Sequence, residues 1–594
     1  MNGRFSDALQ RRINAIQILL AVIFLVFAAR LWYLQILQAS YYDERARRHW
    51  VRSVVIHPPR GLIVDSNGNV LATNTISYNL CVIPAEFEVS DGTLHLLSKL
   101  SGKTEKQILE LVSDSRYRGF EPVAIKRGLD KKSLIEALER MHTMTGVTIE
   151  EVPIRRYPYD KLAAHVLGYI GEVSKEVLKE RHELLPGDRV GKSGVEKVYD
   201  KFLQGKKGYK LVEVDAAGAL VRKLSEIRAR PGKTLRLTLD LRWQMACEAA
   251  LKGRHGAIVV MDVNDGSILA MCSSPSFSPN SFSNGMTKSE WHKLRTDRSH
   301  PLQNKAIGGC YPPGSTFKLV TALAGLSSGV ITPQTKFTCN GGLRVGRRFF
   351  RCWRRHGTVD LVRAIGQSCD TYFYRVGLLV GPERLSKYAN MFLLGRNCKI
   401  DLPGERSGLV PTPSWKKARY GVRWYDGDTA NYAIGQGYLL TTPLQMCIVA
   451  AAIANGGIVY RPHLLLSIED GSGRIIKRYE PLVLSKLSIN PKTLTPIRYG
   501  MQCAVYGNGG TARALVNSPI SVAGKTGSSQ HRRGEKPHAW FIGYAPIDSP
   551  KVAFSVIVEA SGHGGEVAVP IMKQVLVEMR WWFERRERTS YIRW

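Results

Sequence analysis

The sequence predicts an α+β protein of several domains that follows a single N-terminal membrane-spanning helix. The chain has 594 residues, more than one hydrophobic core usually accommodates. One long apolar run lies near the N-terminus, and strand and helix patterns alternate through the second half of the chain. Apolar content of 44% and charged content of 23% are typical of folded globular protein.

The chain is strongly basic, with 84 Lys and Arg against 50 Asp and Glu and a formal net charge of +34. Such an excess attracts polyanions, which include nucleic acids, anionic membranes and the polymers of cell walls. We find no zinc-finger spacing and no aromatic signature of RNA binding, so we expect no nucleic acid partner.

Residues 1–40 are predicted to form a cytoplasmic tail and a membrane anchor. Arg11 and Arg12 precede the apolar run 13–29, and Trp32 and Tyr33 suit the far interface. A cleaved signal peptide is the alternative, but no small-x-small cleavage site precedes the aromatic pair. The bulk of the chain is therefore expected outside the cytoplasm, on the periplasmic side of an inner membrane.

Three further regions are predicted. Residues 41–230 form a β-rich, elongated pedestal with a head subdomain at about 85–165, where helical patterns occur at Leu94–Leu100 and Lys131–Met141. A turn signal at 230–232 opens a second domain, 231–575, whose strand and helix patterns predict a sheet flanked by helices. The basic, aromatic tail 576–594 contacts a membrane or a partner, or is a frayed end.

The stretch 311–323 carries the strongest chemical signal. A Pro-Pro-Gly loop leads into an apolar run, which predicts a buried helix with Ser315 in its first turn and Lys318 three residues later. This spacing places both side chains on one helix face. Burial disfavours a charged ammonium, so Lys318 is expected to present a neutral amine that takes the Ser315 proton.

Two further polar motifs follow on predicted regular elements. Ser368 and Asp370 begin an apolar helix pattern at 371–380, where a hydroxyl is able to relay a proton. Lys525, Thr526, Gly527 and Ser528 lie on a predicted strand beside the strand 538–544. Each motif alone is weak, since serine often caps a helix and Lys-Thr-Gly often forms a turn. The decoy pair Ser414 and Lys417 shows how often Ser-x-x-Lys occurs by chance.

All three motifs in this order resemble the penicillin-binding transpeptidases, acyl-serine enzymes that share Ser-x-x-Lys, Ser-x-Asn/Asp and Lys-Thr-Gly. The likeness covers nearly the whole chain, from the anchor and the Pro-Arg-Gly segment 59–61 to the Ala-Ile-Gly-Gln-Gly-Tyr segment 433–438. The Ser-Cys-Asp form resembles the elongation-specific penicillin-binding protein 2 among class B enzymes. Asp370 departs from the commoner Asn of this motif.

The resemblance implies a central antiparallel sheet flanked by helices and a peptidoglycan D,D-transpeptidase that acts in cell elongation and shape maintenance. Ser315 is then the nucleophile, Lys318 its base and Ser368 the proton relay to the leaving D-alanine. Lys525, Thr526 and Ser528 hold the terminal carboxylate, with Asp370 and Gly527 beside the substrate. Stem peptides, β-lactams, a glycan polymerase of the SEDS class and other elongation-complex proteins are the implied partners, and no organic cofactor is implied.

A candidate metal site lies between the first two motifs. Cys339, Cys352, His356 and Cys369 fall within 31 residues and suit a closed tetrahedral zinc site. Cys352 and His356, four residues apart, are able to share one helical turn. Disulfides and free buried cysteines are the alternatives.

Other functions share these motifs. A D,D-carboxypeptidase uses the same residues with water as the acceptor. A serine β-lactamase or a β-lactam sensor also shares the three motifs, and the β-lactamase needs a positioned carboxylate or an equivalent group to deacylate with water. A non-catalytic scaffold for a glycan polymerase is the alternative from another class. A persistent acyl-enzyme separates the transpeptidase from the β-lactamase.

Overall fold

The computed structural model describes residues 3–41, 51–113, 122–214, 220–530 and 534–591, and it confirms the predicted α+β class. The chain divides into two compact units. One comprises Met1–Pro58 and Lys206–Arg230, and the other comprises Pro59–Gly205 and Pro231–Trp594. The predicted domain limits at 40, 230 and 575 stay predictions.

The first unit contains the predicted N-terminal helix. The α-helix Gly3–Trp32 continues as a π-helical turn, Tyr33–Leu37. Within it, Leu9–Leu37 is long and apolar enough to cross a membrane, and its most apolar stretch is not buried against protein. The helix is therefore a candidate membrane span. Three antiparallel strands complete this unit: Val51–Ile56, Gly208–Val214 and Leu220–Ile227.

The second unit contains a seven-stranded sheet. Its strands are Ile63–Val64, Val70–Val82, Val123–Lys126, Val147–Arg156, Thr234–Leu237, Leu465–Glu469 and Ile475–Arg478. All its pairs are antiparallel except the one between Ile63–Val64 and Thr234–Leu237. The two predicted helices of the head region are confirmed as Asp91–Ser101 and Lys131–Arg140. With Glu105–Val112 they enclose a small separate hydrophobic core.

A buried ion network joins distant parts of this unit. Glu196 accepts hydrogen bonds from Arg60 and Arg155, each at 2.6 Å, and Arg60 also bonds Asp200 at 2.7 Å. Burial opposes ionisation of Glu196, but the two arginines lower the pKa of its carboxyl below the ordinary value. Removal of one partner from such a network leaves an unpaired buried charge.

The central sheet has five antiparallel strands, in agreement with the prediction. In spatial order they are Ile268–Ser274, Gly256–Asp262, Val552–Val558, His538–Ala545 and Ala523–Ser529. Alternate residues of each strand face opposite sides, so both faces need a cover. The helix Pro443–Ala454, buried along its whole length, packs against one face. Helices Leu241–Leu251 and Ala568–Glu578 cover the other.

The remaining described elements connect or extend these layers. Two-stranded ladders pair Ile170–Glu172 with Arg189–Gly191, Phe337–Cys339 with Gly357–Val359, Gly342–Val345 with Arg348–Arg351, and Ile458–Tyr460 with Val483–Lys486. The other α-helices are Ala164–Leu167, Lys175–Glu180, Gly194–Val198, Asp200–Leu203, Pro279–Asn284, Lys288–Thr296, Lys305–Gly308, Lys318–Ser327, Leu361–Gly366, Asp370–Val380, Pro382–Met391, Pro413–Tyr420, Asp426–Ala433, Thr495–Tyr506 and Arg580–Tyr591.

The C-terminal tail begins as a packed helix rather than a frayed end. Trp582 and Phe583 are buried and meet the Trp243 ring edge to face, at centroid distances of 5.5 and 5.9 Å. Arg242 lies 4.3 Å from the centroid of the Trp581 ring. Trp582 and Phe583 are thus packed inside the protein, while residue 594 lies outside the described residues.

Candidate active site

Ser315 lies in a tight turn that precedes the buried helix. Residues Gly314–Phe317 form a 3₁₀ turn, and the α-helix begins at Lys318, so Ser315 is not in the first α-helical turn as predicted. The physical reason is Gly314, which takes a φ of +57° and closes the Pro-Pro-Gly loop tightly. Ser315 is half-buried, whereas Lys318 is completely buried.

Neighbouring backbone fixes the position of this turn. The Gly314 N–H donates to the Gly435 carbonyl at 2.9 Å, and Trp540 Nε1 donates to the Pro312 carbonyl at 3.0 Å. A side chain at position 314 would place its Cβ 2.8 Å from the Ser528 carbonyl oxygen. Only a glycine therefore lets the Ser315 turn lie this close to the edge strand of the central sheet.

Lys318 is held by three acceptors. Its Nζ donates to the Ser368 carbonyl at 2.9 Å, to Ser368 Oγ at 3.2 Å and to Asp370 Oδ1 at 2.7 Å. Three acceptors match the three hydrogens of an ammonium group. The Asp370 carboxyl group is thus in direct contact with the amine, and the expectation of an uncharged Lys318 stays a prediction. Ser315 Oγ is not among the hydrogen-bond partners of Lys318.

Ser368 and Asp370 occupy the junction before the predicted helix, which is confirmed as Asp370–Val380. Ser368 is buried and has a φ of +57°, a left-handed conformation that costs energy for a residue other than glycine. Burial raises the pKa of Asp370 and the Lys318 charge opposes that rise. The departure from Asn thus gives this site a carboxylate that faces the lysine.

The Lys-Thr-Gly strand is confirmed as Ala523–Ser529 at one edge of the central sheet. Lys525 is completely buried, and its Nζ donates to the Thr526 carbonyl at 3.0 Å. Burial and the Lys318 charge lower the pKa of Lys525 well below its ordinary value. No part of this side chain reaches the surface, and the contact of Lys525 with a substrate carboxylate stays a prediction.

Gly527 and Ser528 complete this strand. A Cβ at Gly527 would lie 3.0 Å from the Pro313 carbonyl oxygen and 3.0 Å from the Thr316 methyl group, so the strand and the Ser315 turn are in close contact. Ser528 is half-buried, and its carbonyl accepts a hydrogen bond from Gln436 Nε2 at 3.4 Å. The structure thus brings all eight predicted catalytic and substrate-binding residues to one region.

Sequence reasoning missed Thr511, which joins two of the motifs. Its backbone N–H donates to the Gly366 carbonyl at 3.3 Å, just before Ser368, and its Oγ1 accepts a hydrogen bond from Thr526 Oγ1 at 2.7 Å. The run Gly507-Asn508-Gly509-Gly510 before it was the available signal, since several glycines mark a close backbone approach.

The predicted metal ligands also come together. One ligand atom from each of Cys339, Cys352, His356 and Cys369 lies within 4.8 Å of the others. All ten cysteines are free thiols in this structure, so the disulfide alternative receives no support. Four sulfur and nitrogen atoms at this separation fit a tetrahedral zinc ion, whose bonds to such ligands are about 2.0–2.3 Å long.

The expected shared helical turn of Cys352 and His356 is wrong. Cys352 follows the strand Arg348–Arg351, and His356 precedes the strand Gly357–Val359. The physical reason is that the strand pairings of this segment, not a helix, return the chain to Cys339. His356 Nδ1 lies 3.6 Å from Cys339 Sγ and 3.5 Å from Cys352 Sγ.

Hydrogen bonds connect this Cys/His cluster to Ser368. His356 Nε2 lies 3.2 Å from the Gln367 carbonyl, an arrangement that leaves Nδ1 available as a ligand. The Asp370 N–H donates to Cys352 Sγ at 3.2 Å. A hydrogen bond from the Cys369 thiol lowers the pKa of Cys352, which favours the thiolate that a metal requires.

Comparison with known proteins agrees with this arrangement. Residues 256–577 match the model of the penicillin binding protein transpeptidase domain, and residues 55–237 match that of the penicillin-binding protein dimerisation domain. Together these matches define a penicillin-binding protein of the two-domain, class B type.

Curated relatives narrow the assignment. The chain is 35% identical over 588 residues to the peptidoglycan D,D-transpeptidase MrdA of Salmonella typhimurium, with 93% of each chain covered. It is 32% identical over 578 residues to the protein of the same name from Escherichia coli K12, covering 93% of this chain and 91% of that one.

Solved structures point the same way. The complex of penicillin-binding protein 2 and MreC from Helicobacter pylori has a TM-score of 0.77 at 30% identity, covering 90% of this chain and 99% of that one. Pseudomonas aeruginosa penicillin-binding protein 2 in complex with WCK 5153 has a TM-score of 0.67 at 31% identity, with coverage of 89% and 96%. The chain therefore belongs to the class B penicillin-binding proteins, in the group of penicillin-binding protein 2.

The ion pair of Lys318 and Asp370 yields a prediction on stability. We expect Asp370→Ala to lower the unfolding free energy of the second unit by about 3–5 kcal/mol, because it leaves a buried ammonium without its counter-charge. Differential scanning calorimetry of the purified protein measures the shift. Asp370→Asn, which keeps an acceptor, should cost less.

Asp426→Ala is the matched control for this variant. Asp426 is exposed and, like Asp370, is the first residue of a helix, so both substitutions remove the same favourable interaction with the helix dipole. An equal shift of the unfolding free energy in the two alanine variants would show that the ion pair of Asp370 with Lys318 adds nothing to the stability.

Proposed function

We propose that this protein is a serine-type peptidoglycan D,D-transpeptidase that cross-links the stem peptides of the cell wall during elongation. The observation that carries the proposal is the convergence of the Ser315 turn, the buried Lys318, the Ser368–Asp370 junction and the Lys525 strand. Membership of the penicillin-binding protein 2 group supports it. The named activity of the MrdA relatives is the same reaction.

The first half-reaction forms an acyl-enzyme. Ser315 Oγ attacks the carbonyl between the two terminal D-alanines of a donor stem, and Lys318 takes the hydroxyl proton. An ammonium at Lys318 must first release a proton, and the Asp370 carboxylate is the base in contact with it, while the Ser368 hydroxyl only relays protons. The C–N bond then breaks, and the departing D-alanine amine receives its proton through Ser368.

Charge on the carbonyl oxygen is stabilised by backbone donors. We assign this role to the N–H groups of Ser315 and Ser528, which the close packing of the turn on the strand brings to one site. Each such donor contributes about 3–4 kcal/mol to the transition state in comparable sites. Thr526 and Ser528 face the terminal carboxylate, with the buried Lys525 amine beneath them and the Gly527 backbone alongside.

The second half-reaction transfers the acyl group to an amine of a neighbouring stem peptide, which regenerates Ser315 with the same proton relay. With water as the acceptor, the same residues would give a D,D-carboxypeptidase. β-Lactams mimic the donor and acylate the same hydroxyl. Because deacylation by water needs an added base, we expect the β-lactam adduct to persist.

Location and partners follow from the anchor and the family. We propose that the span Leu9–Leu37 anchors the chain in the inner membrane with its bulk in the periplasm, where its stem-peptide substrates lie. The structural relatives include a complex with MreC and a peptidoglycan synthase complex that coordinates polymerization and crosslinking. We propose corresponding partners here, with a SEDS-class glycan polymerase as the source of new strands.

Release of D-alanine tests the function. We expect the purified protein to release D-alanine from nascent peptidoglycan, with cross-links formed in equal number. The rate of Ser315→Ala should fall by about 10³-fold or more, because no acyl-enzyme forms. Ser414→Ala, in the decoy motif, is the control and should keep full activity. Release without cross-links would favour the carboxypeptidase; activity in Ser315→Ala would contradict the proposal.

We also propose that Cys339, Cys352, His356 and Cys369 hold a structural zinc ion. The donor set fits zinc, and Cys369 and the His356–Gln367 bond connect the cluster to Ser368. When bound, the ion would fix the Ser368 junction in its strained conformation, and it takes no part in the chemical steps.

Metal analysis of protein purified without chelator tests the zinc proposal. We expect about one zinc per chain, at most about one tenth of that in Cys352→Ser, and no change in Cys503→Ser, a half-buried cysteine outside the cluster (order-of-magnitude expectations for loss of one of four ligands). A zinc content near zero in the unchanged protein would exclude the metal.

A further inference from the structure

Ser528 lies against the loop that follows Val552–Val558, the last strand of the central sheet in chain order. Its Oγ is 3.3 Å from Nδ1 of His563 and accepts a hydrogen bond from the Gly564 N–H, also at 3.3 Å. His563 is exposed, while Gly564 is buried. No motif in the sequence connects position 563 with 528, because only the pairing of the sheet strands brings them together.

The backbone holds His563 in place although its ring is exposed. A Cβ at Gly564 would lie 2.2 Å from the Trp540 carbonyl oxygen and 2.4 Å from that of Gly527, so this residue is pressed against the edge of the sheet. On its other side, the His563 carbonyl accepts hydrogen bonds from the N–H groups of Glu566 and Val567 at 3.1 and 3.0 Å. The ring is therefore presented to Ser528 by a fixed loop.

The hydroxyl group of Ser528 has one hydrogen and two lone pairs. The Gly564 N–H occupies one lone pair. When His563 Nδ1 carries a hydrogen, it donates that hydrogen to the second lone pair of Ser528 Oγ. The Ser528 hydrogen then points away from both His563 and Gly564. When Nδ1 lacks a hydrogen, Ser528 donates to it and presents only a lone pair to an approaching carboxylate.

The other polar groups of the strand are already committed. Thr526 Oγ1 donates its hydrogen to Thr511 Oγ1, and the buried Lys525 Nζ donates to the Thr526 carbonyl. Of the two hydroxyl groups on this strand assigned to the carboxylate, Ser528 is the one whose hydrogen is left to direct. Its orientation therefore decides whether the strand offers a hydroxyl donor.

We propose that His563 is a positioning residue for the substrate carboxylate. Its Nδ1 donates to Ser528 Oγ and thereby directs the Ser528 hydrogen at the ligand. The inference rests on the proposed function, in which Ser528 binds the terminal carboxylate of the donor stem. It adds the specificity element that distinguishes a carboxylate-bearing substrate from one without that charge.

Two ligands that differ only at the carboxylate test this role. Benzylpenicillin has the free carboxylate and its methyl ester does not. We would measure the second-order rate constant of acylation of the full-length protein in detergent with both compounds. Variants are His563→Ala, His563→Asn, whose amide nitrogen takes the place of Nδ1, and His563→Gln, whose amide takes the place of Nε2. Glu566→Gln is the control in the same loop.

We expect His563→Ala and His563→Gln to lose about tenfold with benzylpenicillin, the value of one hydrogen bond to a charged group, and less than about twofold with the ester. The rate constant of His563→Asn should stay within about threefold of that of the unchanged protein with both compounds. The rate constants of Glu566→Gln should equal those of the unchanged protein. In a Ser528→Ala background, His563→Ala should have no further effect, because its action passes through that hydroxyl.

Equal losses with the acid and the ester would reduce His563 to a structural residue and overturn the inference, as would the absence of any loss. Failure of Asn to restore the rate where Gln does would overturn the assignment to Nδ1. If the unchanged protein reacts with neither compound, the proposed function itself fails, and this outcome is distinct from the others.

Discussion

The contact of Lys318 with Ser368 and Asp370 is the interaction on which the rest of the site depends. A fully buried ammonium is unstable without compensation, so the helix that carries Lys318 requires a carboxylate and a carbonyl oxygen from elsewhere in the chain. That requirement fixes the junction before the helix Asp370–Val380 against the Ser315 turn. The Asp370 carboxylate is also the base in contact with the Lys318 amine, so proton transfer between these two groups belongs to the activation of Ser315 that we propose.

Glycines and a strained serine allow the three elements to approach each other. Gly314 brings the Ser315 turn against the edge strand, and Gly564 brings the His563 loop against the same strand. Ser368 keeps a left-handed backbone conformation, which persists only where its surroundings enforce it. The Cys/His cluster lies directly beside this residue through Cys369 and His356, so a bound metal would supply part of that enforcement.

The sequence was most informative where chemistry and local pattern coincide. The periodicity of the head helices, the alternating strands of the central sheet and the apolar N-terminal run predicted elements that the structure confirms. The motif residues Ser315, Lys318, Ser368 and Lys525 were found because each belongs to a short, ordered pattern. The Cys and His residues were found because their spacing matches a known coordination chemistry.

What the sequence could not predict depends on contacts between distant segments. The contact of Lys318 with Asp370 is set by packing and not by spacing. Thr511 and His563 reach the Lys-Thr-Gly strand only after the sheet forms, and burial of the C-terminal aromatics depends on Trp243, more than 300 residues earlier. The helical turn expected for Cys352 and His356 was wrong because strand pairing outweighs an i, i+4 spacing.

Peptide mapping by mass spectrometry after treatment with benzylpenicillin tests the central claim most directly, with the unchanged protein compared with Lys318→Ala. The account predicts a single covalent adduct on Ser315 in the unchanged protein and its loss in the variant. An adduct on another residue, or an undiminished Ser315 adduct in Lys318→Ala, would contradict the claim that this lysine and its partners make that hydroxyl reactive.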